Sequence, residues 1–84
     1  MRIFMQTAQP SEEIGQFYQL ILQEDLLGGW TVIRQWGKLG QRGRFRQEYF
    51  DDLESAQQAL SAYRERQSEL GFKTTFVEGE GGPG

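Results

Sequence analysis

Five cations crowd one segment of this sequence: Arg34, Lys38, Arg42, Arg44 and Arg46, all within "RQWGKLGQRGRFR". The same stretch holds Trp36, Gly37, Gly40 and Gly43, and no acid. The remaining cations (Arg2, Arg64, Arg66, Lys73) and all 12 acids lie outside it, in a chain of net charge −3. Like charges placed together cost energy, and a surface built only for stability intersperses the signs. A cationic turn beside an indole has the chemistry of a polyanion site: guanidinium and ammonium groups for phosphate, a flat ring for a sugar or base. Glycines in such a turn let backbone N–H groups come close to an anion. Each feature also has a plainer explanation. Tryptophan in a small sheet is more often core, glycines near a turn are more often turn chemistry, and a basic run is more often a solvated face. It is their coincidence in one turn that singles this segment out, with the indole expected to face outward.

Other chemistries are poorly served. There is no Cys and no His, so no disulfide, no thiolate zinc site and no imidazole base. The carboxylates form neighbouring pairs (Glu12–Glu13, Glu24–Asp25, Asp51–Asp52), and neighbours in a strand or turn point apart, which spoils a general acid/base pair. No Walker loop is present, and Gly37, Gly40 and Gly43 fit no dinucleotide fingerprint. We expect no enzyme, no metal and no cofactor.

The elements that must position the cationic turn follow from patterning. Arg2–Thr7 alternates loosely and predicts a short strand, followed by a loop over "AQPSEEIG". "QFYQLILQ" (Gln16–Gln23) and "WTVIRQW" (Trp30–Trp36) are strand-length runs of branched and aromatic residues, separated by a turn in which Gly28 and Gly29 can take positive φ. "RFRQEYF" (Arg44–Phe50) places Phe45 and Tyr49 on one face and Arg44, Arg46 and Glu48 on the other. The period then changes. Leu53, Ala56, Leu60, Tyr63 and Leu70 stand at helical spacing, with Asp51 as expected cap, Glu54 as its capping-box partner, and Gly71 closing the helix ahead of Phe72. "KTTFV" predicts a final edge strand, on which a weak homodimer could pair.

The fold class expected is therefore α+β: a small antiparallel meander of four to five strands with one amphipathic helix on one face. A chain of 84 residues makes one small domain, expected over 1–77, with a disordered tail over 78–84. No apolar run approaches ~18 residues, so no membrane span is expected and a cytoplasmic setting is.

These residues resemble a known family. "RQWGKLGQRG" is similar to the turn that gives the WGR domain its name, with Trp36, Gly37, Leu39, Gly40 and Gly43 in the family's order. The likeness continues upstream through "FYQLIL" and "WTVIR", and downstream through "YFDDLESAQQAL" to "LGF", covering roughly Phe17 to Phe72. It implies antiparallel strands with one helix. It also implies a role: such domains in poly(ADP-ribose) polymerases bind DNA at breaks, with the motif tryptophan against the sugar-phosphate of a strand end. Short bacterial proteins made mainly of this domain also exist, and this chain is similar to that group. It departs from the motif at Lys38, which stands where the family has Arg; lysine keeps the charge and loses the bidentate fork.

The function expected is a non-enzymatic nucleic-acid-binding module, for DNA ends or nicks, with little sequence preference. Trp36 would stack on a terminal sugar or base. Lys38, Arg42 and Arg44 would contact phosphates, Arg34 and Arg46 would widen the field, and Gly37, Gly40 and Gly43 would permit a close backbone approach. The alternative is a protein-interaction module docking an acidic partner through the same turn, with the chain a monomer or weak homodimer.

Overall fold

The computed structural model describes residues 1–7 and 15–79. Most of the loop expected over 8–15, and residues 80–84 of the expected tail, lie outside the described residues. Five strands and one helix follow in order: β1 (Arg2–Thr7), β2 (Gln16–Glu24), β3 (Trp30–Lys38), β4 (Arg44–Phe50), α1 (Leu53–Glu69) and β5 (Phe72–Glu78). The sheet is antiparallel with strand order β4-β3-β2-β1-β5. The first four strands form the expected meander, and α1 carries the chain back across the sheet so that β5 pairs with β1. This strand runs through Glu78, one residue into the segment expected as tail.

Opposed residues in an antiparallel pair share a face, so the register sorts every side chain. On the helix side lie Ile3, Met5, Tyr18, Leu20, Leu22 and Val32, which form the core with Ala56 and Leu60 of α1. Among the described residues no element covers the outer side. Of the apolar residues at helical spacing, only Ala56 and Leu60 are buried; Leu53 and Leu70, at the two ends, are exposed. Ala56 has no side chain beyond Cβ, which lets the helix come down onto the sheet at its start, while Tyr63 and Phe72 are half-buried at the edge of the core.

The helix cap differs from the expectation by one residue. Asp52, not Asp51, takes the extended cap conformation, and its carboxylate accepts from the Ser55 N–H at 2.7 Å. Glu54 is then too near the cap to close a capping box and instead adds negative charge to the first turn. Gly71 closes the other end as expected, at φ +103°, where its N–H donates to the Ser68 carbonyl. Gly28 and Gly29 take positive φ in the β2–β3 turn.

The Ser55 N–H holds the Asp52 carboxyl below the usual carboxylate range. A group whose folded value is depressed stabilises the fold above its unfolded value and loses that contribution as pH falls through the folded one. Asp52→Ala is therefore expected to lower the melting temperature at neutral pH. The gap between variant and parent should close on acidification below about pH 4, as the parent carboxylate protonates. Thermal melts by circular dichroism from pH 7 to pH 2 check both.

Candidate nucleic-acid interface

The cationic turn is built by close backbone packing. Lys38 accepts from the Gln41 N–H at 3.0 Å, with Gly40 at φ +86°, so residues 38–41 make a tight turn whose third residue needs positive φ. The chain then returns at once across β3. A Cβ on Gly37 would lie 2.7 Å from the Gly43 Cα, and a Cβ on Gly43, at φ +78°, would lie 2.2 Å from the Trp36 carbonyl oxygen. The ring of Phe17 packs beneath both glycines and stacks on Phe4 at 5.8 Å. From the outer side Gln19 donates to Gln35, which donates to the Arg42 carbonyl at 2.9 Å. The Leu39 N–H donates to Gly15 at 2.9 Å and ties the turn to the start of β2. Gly37 thus faces the Phe17 side, away from the face that carries Trp36 and Lys38, and its structural task is close packing.

The register Trp36↔Arg44 and Arg34↔Arg46 puts Arg34, Trp36, Lys38, Arg44 and Arg46 on the helix side of the sheet, where α1 leaves the end of β3 uncovered. Arg42 sits exposed in the turn itself. Among the described residues none of these cations joins a salt bridge; the ion pair present is Arg2–Glu78 at 3.9 Å, on the outer side.

Trp36 is neither free nor sealed. It is half-buried, leaning on the core and stacked on Tyr18 at 6.4 Å with the rings 26° apart. Its remaining surface lines a groove of about 460 Å³ shared by Tyr18, Arg34, Lys38, Gln67 and Phe72. The expectation of an indole standing outward is corrected accordingly: in so small a core, one side of the ring is needed for packing. Leu70 forms part of the rim, which accounts for its exposure. The last helical carbonyls nearby, those of Arg66, Gln67 and Ser68, are taken up by the N–H groups of Leu70 and Gly71, so they do not repel an anion as unpaired dipoles.

Arg34 differs from the other cations. Its guanidinium lies 4.3 Å from the Tyr63 ring centre and 5.9 Å from that of Trp36. It is half-buried between two aromatic faces, a cation–π arrangement that fixes both. The Tyr63 hydroxyl donates to the Glu48 carboxylate on β4. That hydrogen bond, with partial burial, pushes the Tyr63 hydroxyl above its ordinary value and keeps it protonated. Arg34 is thereby a member of the wall and holds the indole, whereas Lys38, Arg42, Arg44 and Arg46 are exposed.

The structure therefore gathers Arg34, Trp36, Lys38, Arg44 and Arg46 on one face, puts Arg42 and Gly40 in the adjoining turn, and lines the groove with Gly37, whose side-chain direction points to the Phe17 side. Sequence reasoning missed Tyr18, Tyr63, Gln67 and Phe72 as groove and wall residues. Tyr63 and Phe72 carry a signal, since both are aromatics at places where the helix or its end must face the sheet; Gln67 carries none.

A profile of the WGR domain matches residues 1–75. The chain belongs to the WGR domain family. The match takes in β1 and most of β5, which extends the likeness from Phe17–Phe72 to nearly the whole chain. WGR domains are binding modules, not catalytic in themselves, and in some proteins they bind nucleic acid. The WGR chain is also similar to an uncharacterised protein, y4dW, of Sinorhizobium fredii (strain NBRC 101917 / NGR234), at 26% identity over 55 residues. That alignment covers 66% of this chain and 27% of the relative, so the WGR chain spans about a quarter of the relative's length. Among the described residues no helix is long and apolar enough to cross a membrane, and no group of three or more acids converges as a metal site.

The two turn glycines should respond differently to the same change. Gly40→Ala meets open space and bears only the positive-φ penalty, roughly 1 kcal/mol. Gly43→Ala bears that penalty and drives a methyl group into the Trp36 carbonyl, so it should cost several times as much and disturb the Trp36 environment. Chemical denaturation followed by Trp fluorescence gives both numbers; equal costs would contradict the close approach.

Proposed function

We propose that this WGR domain is a non-enzymatic DNA-binding module that takes strand ends or nicks into the groove beside Trp36, with little sequence preference. The observation that carries this reading is the pairing, on one face, of a half-open aromatic floor with exposed cations free of salt bridges among the described residues. Trp36, backed by the buried Tyr18, offers the ring surface on which a terminal sugar or base packs. Lys38 stands at the mouth, and Arg44, directly across from Trp36, reaches the same phosphates, with Arg42 and Arg46 extending the field along the strand. Arg34 serves by holding the indole. Among the described residues the one helix lies packed along the sheet, which supports recognition by shape and backbone.

The body of the protein is acidic, so attraction is local. With three or four phosphates neutralised, log affinity should fall against log salt with a slope near −3. Arg44→Gln, an exposed change that leaves packing alone, should weaken binding to all sequences alike and make the slope about one unit shallower. Trp36→Ala should cost about 1–3 kcal/mol of affinity. Fluorescence anisotropy with blunt, nicked and single-stranded oligonucleotides at several salt concentrations measures all three. An absence of binding at low salt, or unchanged affinity for Trp36→Ala, would sink the reading. An acidic protein partner at the same turn would use the cations and have little need of the rings, so a partner recovered after nuclease treatment and kept by Trp36→Ala would replace DNA as the ligand.

A further inference from the structure

The outer face of the sheet contrasts sharply with the helix side. Across β2, β3 and β4 its side chains are Phe17, Gln19, Ile21 and Gln23; Thr31, Ile33 and Gln35; Phe45, Gln47 and Tyr49. None carries a charge, although a quarter of the chain is Asp, Glu, Lys or Arg. On the same strands the opposite face holds Glu24, Arg34, Lys38, Arg44, Arg46 and Glu48. Charged residues return to the outer face only on β1 and β5, where Arg2 and Glu78 pair with each other and Lys73 stands alone.

Among the described residues nothing closes over this neutral face. Phe45 is 62% exposed, Tyr49 55% and Phe76 53%. At the Tyr49 end, its hydroxyl donates to the Gly28 carbonyl, and the face runs on into the β2–β3 turn, where Leu26 and Leu27 are almost wholly exposed. That turn is ordered: Asp25 accepts from the N–H groups of Leu27 and Gly28 and donates to Gly29. Apolar side chains held out on a fixed surface mark a docking face.

We propose that the outer face is the surface on which two copies of this chain pack, sheet against sheet, about a twofold axis. Charge selects the occupant. A polyanion finds no cation on β2–β4 of this face, and a charged protein partner finds nothing to pair with. A second copy of the same face buries no charge over β2–β4 and leaves Arg2, Glu78 and Lys73 at its rim, whereas any other meeting of two bodies of charge −3 brings acids or cations together. The area reaches interface size when all five strands take part, with Arg2, Glu78 and Lys73 at the β1–β5 rim. Five strands about 4.8 Å apart, with strand lengths near 25 Å, give a face of roughly 600 Å² per copy, or about 1,200 Å² for the pair, at the lower end for a specific interface with a polar rim. Such a pair leaves both Trp36 grooves on the outside, facing opposite ways, and does not depend on what those grooves bind.

Sedimentation velocity on nuclease-treated protein tests this. The mass should rise reversibly from 9.7 kDa toward twice that as concentration increases from about 1 µM to about 1 mM, the weak regime expected of so small an interface. Phe45→Glu and, separately, Gln47→Glu place a charge among the neutral side chains of β4, within the uncharged part of the contact, and should each hold the protein monomeric while its melting temperature stays near that of the parent. The Gln47 side chain is exposed and lies outside the core, so its replacement keeps the test valid should Phe45→Glu fail to fold. Thr75→Pro blocks pairing through the free edge of β5 and should leave association intact. A monomer at every concentration overturns the proposal. So does a dimer indifferent to both outer-face charges, or one abolished by Thr75→Pro alone.

Discussion

The groove exists because two stretches of backbone meet at Gly37 and Gly43. With hydrogen in place of a side chain at both positions, the turn folds back directly over β3, and β4 enters the sheet with Arg44 opposite Trp36. That register decides the electrostatics. Side chains alternate along a strand, so a slip of one residue would send Arg44 and Arg46 to the outer face and bring Phe45 and Gln47 to the groove. Phe17 enforces the arrangement from beneath, filling the space against both glycines. The cluster of charge is therefore held by an apolar contact on the opposite side of the sheet.

A second layer of support comes from α1. Arg34 could have been another mobile cation, but the Tyr63 ring covers it, and Tyr63 is in turn held by Glu48. The helix thereby fixes the indole through an arginine. One acid inside the cationic face, Glu48, serves this purpose through a hydroxyl and not by cancelling a guanidinium.

Much of this was legible in the sequence. Strand alternation put Phe45 and Tyr49 on one side and Arg44, Arg46 and Glu48 on the other, and the pairing with β3 bears this out. The helix was visible from its period and Gly71 from its position. What escaped were matters decided by three dimensions. Asp51 and Asp52 are equivalent as letters, and only the extended backbone at Asp52, three residues before the Ser55 N–H, makes it the cap. Leu53 and Leu70 fit the helical stripe, yet the sheet is too short to cover both helix ends. Trp36 carried signals for core and for site, and it serves both, because a core this small cannot leave a whole indole idle. Tyr18 reads as an ordinary strand aromatic until its cross-strand partner is known to be Trp36.

The pairing of β1 with β5 sets Arg2 beside Glu78 at one corner of the sheet, while Trp36 and Lys38 lie toward the opposite end of their strands, level with Gln16 and Thr7. The chain enters β1 and leaves β5 at that shared corner, toward the end of the sheet away from Trp36 and Lys38. The hem where the first and last strands are stitched together is thus set apart from the working end, so strain applied at one is met by the whole breadth of the sheet before it reaches the other.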